Sequence, residues 1–463
     1  MSKQSFSDLP LPTAQIENLK QMGYQYMTEI QAESLPLALE GKDLLAQAKT
    51  GSGKTAAFGV PLLDKLNPRD FGAQALILCP TRELSTQVAN EIRKLARYQQ
   101  NIKVVVLCGG QSIGPQIGSL EHGAHVIVGT PGRIKDHLRK ETLDISRVST
   151  VVLDEADRML DMGFLEDIEL IVEKTPSQRQ TLMFSATYPK DIEQLSQRFQ
   201  QSPTTIKVES LHNDSKIEQQ FYIHEKEEKL EALYTLIAYN DLQQAVVFCN
   251  TKQTTFEVAS YLREKGLIAE ALNGDLEQRD RDQILVQFSH TSSHILVATD
   301  VAARGLDIDD LPAVINYEVP RDSEVYVHRI GRTGRAGKSG LALTIFNKRE
   351  HFLINRLGDY LGGEINFQPI EDLEKDAAVR RYRPSLPPMA TIAISGGRKD
   401  KVRPGDLLGA LTGEAGIPGS AVGKINVMEF QTYVAIAYQE ADEALERLRN
   451  GKIKGRKFKV RKV

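Results

Sequence analysis

The chain has 463 residues, of which 41% are hydrophobic and 26% charged, a composition typical of soluble globular proteins with room for about three domains. No apolar run approaches the roughly 20 residues that cross a bilayer, and the first residues lack a signal-peptide layout, so we expect a cytoplasmic protein without a membrane partner. The net charge of −3 is uneven: residues 384–463 carry 14 Lys and Arg against 8 Asp and Glu. This basic tail predicts contact with a polyanion, with a merely solvated basic face as the alternative.

A glycine-rich segment follows the first short apolar run, Leu44 to Ala46, and precedes a helix-compatible stretch. Strand, glycine loop and helix start are the context of a phosphate-binding loop, which predicts an ATP site. We expect the loop to consist of Ala48, Lys49, Thr50, Gly51, Ser52, Gly53, Lys54 and Thr55. Within it, Lys54 would meet the β- and γ-phosphates and the Thr55 hydroxyl would meet Mg²⁺. The general pattern begins with Gly where this chain has Ala48, and an ordinary glycine turn is the alternative.

Short apolar runs alternate with amphipathic segments from Asp43 to about Val208. The predicted strands are Ala75–Cys79, Val104–Cys108, Val126–Val128, Thr150–Leu153 and Thr181–Phe184. They are nearly continuous in Val, Ile and Leu, as strands covered on both faces are, so the alternation predicts a parallel doubly wound α/β sheet. Cys79, Cys108 and Cys249 lie in such runs, so we expect buried reduced thiols and neither disulfides nor a metal site.

Two carboxylates, Asp154 and Glu155, come directly after the buried run Val151 to Leu153. A carboxylate at the carboxyl end of such a strand reaches the crevice where open α/β sheets bind ligands. We therefore expect Asp154 to hold Mg²⁺ and Glu155 to orient and deprotonate the attacking water. The alternative is an acidic helix start stabilised by the helix dipole.

A second alternating series follows a polar interval around residues 212–216 and contains no second Gly-Lys-Thr loop. Its predicted strands are Ala245–Cys249, Ile295–Ala298, Ala313–Tyr317 and Leu341–Phe346. After a proline- and arginine-containing stretch, the basic tail shows the order β-α-β-β-α-β of RNA-recognition-motif (RRM)-like domains. The usual base-stacking positions of such a sheet hold Ala393, Tyr433 and Ala435, so stacking of two or three bases on the sheet face is not expected.

The glycine loop and the run Asp154-Glu155-Ala156-Asp157 are followed by Ser185-Ala186-Thr187 and by His328-Arg329-Ile330-Gly331-Arg332-Thr333-Gly334-Arg335. In this order, from Phe6 to about Phe346, the motifs resemble those of the DEAD-box family of ATP-dependent RNA helicases. The resemblance implies an α/β fold of two tandem RecA-like parallel-sheet domains (a P-loop NTPase, superfamily 2 helicase core), followed by a small α+β RRM-like domain. The implied boundaries are 1–208 for the first domain, 217–365 for the second, 366–388 for a linker and 389–463 for the RRM-like domain. A monomer is expected.

The resemblance also assigns nucleotide contacts and catalytic roles. Tyr24 and Gln31 match the segment that reads adenine in this family, and Gly305 and Asp307 match the segment that faces the ribose. Arg332 and Arg335, in a dense run of arginines, match the finger residues, whose guanidinium forks fit phosphate oxygens. Residues that match the coupling of hydrolysis to strand separation are Ser185, Thr187 and His328.

RNA contacts are implied in all three domains. Hydroxyls, arginines and glycine amides hold phosphates and sugars without reading bases, although each candidate also suits a helix cap or a turn. In the two core domains the candidates are Arg82, Gly110, Thr130, Arg133, Thr251, Arg279 and Thr299. In the tail the basic loops contribute Arg398, Lys399, Lys401, Arg403, Lys452, Lys454 and Arg456.

The resulting hypothesis is an RNA-dependent ATPase that unwinds short RNA duplexes when ATP and RNA close the two core domains. The tail resembles that of a bacterial DEAD-box subfamily which recognises a hairpin of 23S ribosomal RNA. This implies a 23S rRNA hairpin and large-subunit (50S) precursors as partners. The alternatives are an ATP-gated RNA clamp, a general RNA chaperone without rRNA specificity, and a DNA translocase or other P-loop ATPase.

Overall fold

The computed structural model describes residues 4–48, 51–187, 190–208, 217–225, 229–303, 311–334, 339–413 and 416–463. The chain forms two compact units that divide near residue 212. Within the ranges that the structure describes, no helix is long and apolar enough to span a membrane. The three cysteines are buried and free, as predicted.

The first unit is built on a seven-stranded sheet in the order β3-β4-β2-β5-β6-β1-β7, and every pairing in it is parallel. The strands are β1 (Leu44–Gln47), β2 (Ala75–Leu78), β3 (Val104–Leu107), β4 (Val126–Gly129), β5 (Thr150–Asp154), β6 (Gln180–Ser185) and β7 (Thr204–Lys207). The helices are α1 (Thr13–Gln21), α2 (Glu29–Leu39), α3 (Lys54–Asp64), α4 (Arg82–Leu95), α5 (Gly114–Leu120), α6 (Pro131–Arg139), α7 (Ala156–Asp161), α8 (Leu165–Glu173) and α9 (Lys190–Phe199), with 3₁₀ turns at Phe6–Asp8 and Ala96–Tyr98.

The central strands of this sheet are buried on both faces, which explains their continuous apolar sequence. Every residue of β2, β4, β5 and β6 is buried. Helix α4 packs on the sheet through Leu84, Val88, Ile92 and Leu95, which recur at spacings of four, four and three and so share one helix face. The first unit is therefore the predicted doubly wound α/β domain, and β7 at its edge is a strand that the sequence analysis missed.

The second unit contains another seven-stranded parallel sheet, in the order β10-β11-β9-β12-β13-β8-β14. Its strands are β8 (Ile217–Ile223), β9 (Ala245–Cys249), β10 (Ala269–Leu272), β11 (Ile295–Thr299), β12 (Ala313–Asn316), β13 (Gly340–Phe346) and β14 (Phe367–Pro369). The helices are α10 (Lys229–Tyr239), α11 (Lys252–Glu264), α12 (Gln278–Ser289), α13 (Asp300–Ala303), α14 (Ser323–Ile330), α15 (His351–Leu361), α16 (Glu371–Glu374) and α17 (Ala377–Arg381), with a 3₁₀ turn at Lys348–Glu350.

Most of the predicted linker, 366–388, belongs to this second sheet domain, so that boundary was wrong. Strand β14 pairs with β8, and Ile370 and Leu373 are buried in the core around α10. The apolar side chains of this stretch are separated by charged residues, which concealed a short edge strand and two short helices. Only residues 382–388 run without helix or strand before the next strand begins.

The third domain, residues 389–463, is a four-stranded antiparallel sheet in the order β16-β17-β15-β18, covered by two helices. Its elements are β15 (Met389–Ile394), α18 (Pro404–Thr412), β16 (Val422–Val427), β17 (Thr432–Ala437), α19 (Ala441–Asn450) and β18 (Val460–Lys462), with 3₁₀ turns at Arg398–Asp400, Gly419–Ala421 and Tyr438–Glu440. The predicted order β-α-β-β-α-β is thus confirmed. The last strand follows a tight turn at Lys454 and Gly455, which both have positive φ.

The face of this sheet that α18 and α19 leave open packs against α12 of the second sheet domain. Val286 on α12 contacts Ala393 and Tyr433, and all three are buried. Beside them, the His290 ring lies 3.0 Å from the Thr391 hydroxyl and 2.8 Å from the Asn426 amide oxygen. The sheet face on which an RRM-like domain stacks bases is therefore occupied by a protein contact.

Candidate functional site

The phosphate loop lies between β1 and α3, as the sequence predicts. Gly51 and Gly53 have φ values of +83° and +93°, which side chains with a Cβ rarely adopt. A Cβ on Gly53 would also lie 2.4 Å from the amide nitrogen of Gln31. The Ala48 amide donates to the Ser185 carbonyl, which ties the start of the loop to the end of β6. Glycine is thus required where the chain turns into α3.

Lys54 and Asp154 are buried polar side chains that lie close enough to interact electrostatically. Lys54 Nζ and Asp154 Oδ1 have no hydrogen-bond partner within the residues that the structure describes. Burial raises the pKa of Asp154 to about 6, against the opposing effect of Lys54. Buried orphan groups of this kind need a ligand, because desolvation without a partner is costly. The Asp154 carboxylate and the hydroxyl of the half-buried Thr55, which follows Lys54, are oxygen donors of the kind that fits Mg²⁺ with bound phosphates.

Glu155 follows Asp154 at the carboxyl end of β5, in a left-handed backbone conformation with φ of +54°. This turn redirects the chain into α7, and the Glu155 carboxylate lies 3.6 Å from the buried Arg158 guanidinium. A strained, buried carboxylate next to Asp154 suits an orienting and proton-accepting role.

Gln31 was predicted to read adenine, and both of its polar groups have partners within the chain. Its amide oxygen accepts from the Thr28 amide and its amide nitrogen donates to the Gly53 carbonyl, at 2.9 and 3.0 Å. Tyr24 packs edge-on against Phe6 and donates its hydroxyl to Glu91. The structure therefore shows Gln31 fastening this segment to the phosphate loop, and adenine reading by both residues stays a prediction.

Ser185 ends β6, and Thr187, two residues further on, is hydrogen bonded to Asp157, for which the sequence analysis predicted no role. Asp157 Oδ2 accepts from the amides of Ala186 and Thr187 and from the Thr187 hydroxyl, at 3.1, 2.9 and 2.9 Å. The Ser185 hydroxyl donates to the Thr187 carbonyl at 2.6 Å. Because Asp157 is two residues from Glu155, this network links the predicted coupling residues to the carboxylates of the site. The acidic run at 154–157 was the available signal.

Arg329, also missed by the sequence analysis, is the centre of a buried network in the second sheet domain. All five of its N–H groups are used: they donate to both Asp300 oxygens, to the side chains of Asn250 and Asn316, and to the Glu318 carbonyl, at 2.6 to 3.2 Å. The side chain is 1% exposed. It ties α14 to the ends of β9, β11 and β12.

Arg332 follows α14 directly, and its backbone amide donates to the Arg329 carbonyl. The Arg332 side chain is 8% exposed, and His328 on α14 is half-buried. The network around Arg329 therefore fixes the backbone from which Arg332 and His328 project. The other predicted catalytic arginine, Arg335, lies outside the described residues, as do Lys49, Thr50, Gly305 and Asp307.

The predicted RNA-contact residues of the first unit converge at the carboxyl ends of neighbouring strands. Gly110, after β3, has φ of +71°, and a Cβ there would lie 1.5 Å from Arg82 Nη1. From the other side, Arg133 Nη2 donates to the Gln111 carbonyl at 2.9 Å. Thr130, at the start of α6, is buried. Arg82, Gly110 and Arg133 thus form one surface, whereas Thr130 is largely covered.

In the second sheet domain, Thr251, Arg279 and Thr299 also lie at the carboxyl edge of three neighbouring strands, β9, β10 and β11. Thr251 caps α11 by accepting from the Thr254 amide, and Arg279 is exposed in the first turn of α12. Thr299, at the end of β11, is buried. Thr251 and Arg279 are thus both exposed, whereas Thr299 is covered.

The basic loops of the third domain meet at one end of its sheet, where β15 ends and β18 begins. Ile394 pairs with both Thr432 and Val460, which places three loops together: 395–403, 428–431 and 452–459. Lys454 Nζ donates to the Lys401 carbonyl at 3.3 Å and so joins the two basic loops. We call this surface the basic end; its exposed cations are Arg398, Lys399, Lys401, Arg403, Lys452, Lys454, Arg456, Lys457 and Lys459.

Comparison with known proteins finds a different family model for each of the three domains. The family model described as DEAD/DEAH box helicase matches residues 28–195, and the helicase conserved C-terminal domain matches 228–337. A third model, the DbpA RNA binding domain, matches 391–462. The chain is 49% identical over 451 residues to the ATP-dependent RNA helicase DbpA of Escherichia coli, a match that covers 97% of each chain.

The chain belongs to the DEAD-box family. It is an ATP-dependent RNA helicase with a DbpA-type RNA-binding domain, as the sequence analysis predicted. Other relatives match a smaller share of the chain: the DEAD-box ATP-dependent RNA helicase CshA of Bacillus subtilis is 44% identical over 354 residues, which is 76% of this chain and 72% of that one.

Two solved structures of DEAD-box proteins confirm the tandem parallel-sheet fold. Saccharomyces cerevisiae Dbp5 bound to RNA and ADP BeF3 is 28% identical with a TM-score of 0.73, covering 80% of this chain and 97% of that one. Mss116p bound to ssRNA and AMP-PNP is 27% identical with a TM-score of 0.70, covering 82% and 83%.

Proposed function

We propose that this DEAD-box helicase couples ATP hydrolysis to the opening of short RNA duplexes in structured 23S rRNA, during assembly of the large ribosomal subunit. The proposed targeting to structured rRNA rests on the basic end of the third domain. Nine exposed cations converge there while the sheet face is covered by α12. Phosphate contacts from loops suit the shape of a folded RNA hairpin better than the stacking of a single strand.

Hydrolysis on this proposal uses groups of both units. Lys54 and the glycine loop hold the phosphates, and Asp154 with Thr55 would hold Mg²⁺. When bound, Mg²⁺ neutralises charge on the β- and γ-phosphates. Glu155 orients the attacking water and accepts its proton, and Arg332, with Arg335, stabilises charge on the transferred phosphoryl group. Relatives captured with RNA and ADP BeF3 or AMP-PNP support adenine nucleotide and RNA as joint ligands.

Targeting is tested by RNA-stimulated ATPase activity with a 23S rRNA hairpin fragment and with unrelated RNA of equal length. We expect the fragment to stimulate at lower concentration, and Arg398→Ala combined with Arg456→Ala to remove that preference. Each lost phosphate contact should also reduce, by about one, the slope of the logarithm of RNA affinity plotted against the logarithm of salt concentration. Arg349→Ala, which removes an exposed arginine of the second sheet domain, is the matched control. Equal stimulation by both RNAs in the unaltered chain would refute the targeting.

The second candidate is an ATP-gated RNA clamp that does not unwind. The position of Glu155 argues against it, since a clamp has no need of a water activator. We expect Glu155→Gln to keep ATP-dependent RNA binding while hydrolysis falls roughly 10²-fold or more, as loss of general-base catalysis predicts. A short-duplex unwinding assay decides between the two functions: a clamp would bind RNA and release no strand in the unaltered protein.

A further inference from the structure

Phe430 is an exposed aromatic ring at the basic end that neither the fold nor the proposed function explains. It lies at the tip of the hairpin between β16 and β17 and is 60% exposed. The other aromatic residues of the third domain are covered: Tyr433 is buried against α12, and Tyr438 and Phe458 are half-buried. The ring is therefore held in water next to a set of cations.

The hairpin that carries Phe430 has a fixed position relative to the basic loops. The Met428 amide donates to the Gln431 carbonyl at 2.7 Å and closes the turn. The amides of Arg398 and Lys399 then donate to the carbonyls of Met428 and Glu429, at 2.8 and 3.0 Å. Phe430 is thus presented by a turn that is hydrogen bonded directly to the first basic loop.

Gly397 makes this close approach possible. A Cβ at this position would lie 2.5 Å from the Met428 carbonyl oxygen and 2.6 Å from that of Glu429, closer than any side chain tolerates. On the other side, the Phe458 ring packs against Gly396 and brings the second basic loop alongside. The three loops form one small platform that carries both the exposed cations and the Phe430 ring.

We propose that Phe430 stacks on an unpaired base of the RNA whose phosphates the basic end contacts. This inference rests on the proposed function and names its substrate class: RNA with an unpaired base, such as a hairpin loop or a bulge. The π-face of any base can cover the ring, so the contact recognises unpaired structure and not sequence. A continuous duplex offers phosphates to the cations but no free base to Phe430.

The first test measures binding of the full chain to a hairpin with an unpaired loop and to a fully paired duplex of the same length. We expect Phe430→Ala to weaken hairpin binding about five- to hundredfold, the range for loss of a base-stacking aromatic, and to leave duplex binding unchanged. Phe430→Tyr should restore hairpin binding. The matched control is Phe352→Ala, which removes a 65% exposed ring of the second sheet domain. Equal hairpin affinity of the unaltered chain and Phe430→Ala would overturn the proposal.

The second test uses the absence of tryptophan from the sequence. Phe430→Trp introduces a single indole, and we expect hairpin RNA to quench its fluorescence while Phe352→Trp is unaffected. A hairpin that binds without quenching would overturn the stacking contact. If Arg398→Ala with Arg456→Ala also leaves hairpin affinity unchanged, the proposed targeting by the basic end fails as well. If that double variant weakens binding and Phe430→Ala does not, only the stacking inference fails.

Discussion

Replacing Arg329 by alanine should disrupt the second sheet domain more than any exposed substitution. The change removes five hydrogen bonds at once and leaves the Asp300 carboxylate, two asparagine side chains and the Glu318 carbonyl without their shared donor. The Arg329 side chain is 1% exposed, so water does not replace it without opening the structure.

The expected cost is about 3 kcal/mol. Breaking a buried ion pair by removing one partner costs about 3–5 kcal/mol. Because the Asp300 side chain is 23% exposed and regains some water, we place the loss at the lower end of that range. Arg329→Lys keeps the charge but not the planar fork, and should cost about 1–2 kcal/mol.

Hydrogen exchange measured by mass spectrometry on α14 and on the ends of β9 and β11 is the direct assay. A loss of about 3 kcal/mol corresponds to exchange roughly 10²-fold faster in these segments. Since α14 leads into Arg332, we also expect ATPase activity to fall. Arg349→Ala, an exposed guanidinium, should shift stability by no more than about 0.5 kcal/mol. A loss below about 1 kcal/mol for Arg329→Ala would refute this account of the network.

Two further changes test the RNA surface and the domain contact. Gly110→Ala should displace the Arg82 guanidinium and raise the RNA concentration for half-maximal ATPase stimulation roughly tenfold. The control is Gly118→Ala, whose added Cβ meets nothing within 4 Å and should leave that concentration unchanged. An unchanged half-maximal concentration in Gly110→Ala would contradict an RNA contact at Arg82. Burial lowers the pKa of His290 in the contact with the third domain; the hydrogen bond to Asn426 opposes this shift and Lys424 adds to it. As pH falls below the ordinary histidine pKa of ~6.5, His290 gains a proton more readily when the third domain is detached from α12 than when it is bound there, so low pH favours detachment. Fluorescence energy transfer between the second sheet domain and the third domain should therefore fall. An identical pH dependence in His290→Gln would contradict this prediction.

Local sequence pattern was sufficient for the central strands and for the phosphate loop. Strands such as β2 and β5 lie inside a sheet covered on both faces, and burial leaves a continuous apolar run that predicts them. The strands β7, β8 and β14 escaped because each carries several exposed or half-buried residues and has a mixed sequence. A short, half-solvated strand has no pattern that separates it from a loop.

Residues of the candidate site could be predicted where they belong to a continuous motif. Residues that bond to partners far away in the sequence could not. Lys54 ends the glycine loop that follows β1, and Asp154 is the last residue of β5, so the apolar run of each strand indicated where these side chains would lie. The bond between Asp157 and Thr187 joins residues 30 apart, and Arg329 reaches Asn250 across 79. In the sequence, Tyr433 occupies a position at which RRM-like domains stack a base. Its burial against α12 is visible only in the folded chain.

The contact between α12 and the third domain determines what could be transplanted to another helicase core. A graft of residues 389–463 alone would leave behind Val286 and His290 and uncover Ala393, Thr391 and Tyr433 on the new protein. The recipient would gain the cations of the basic end together with an unpaired apolar patch, which favours self-association. The portable unit is therefore the third domain together with the complementary side chains of α12 and residues 290–292, rebuilt on the recipient's equivalent helix.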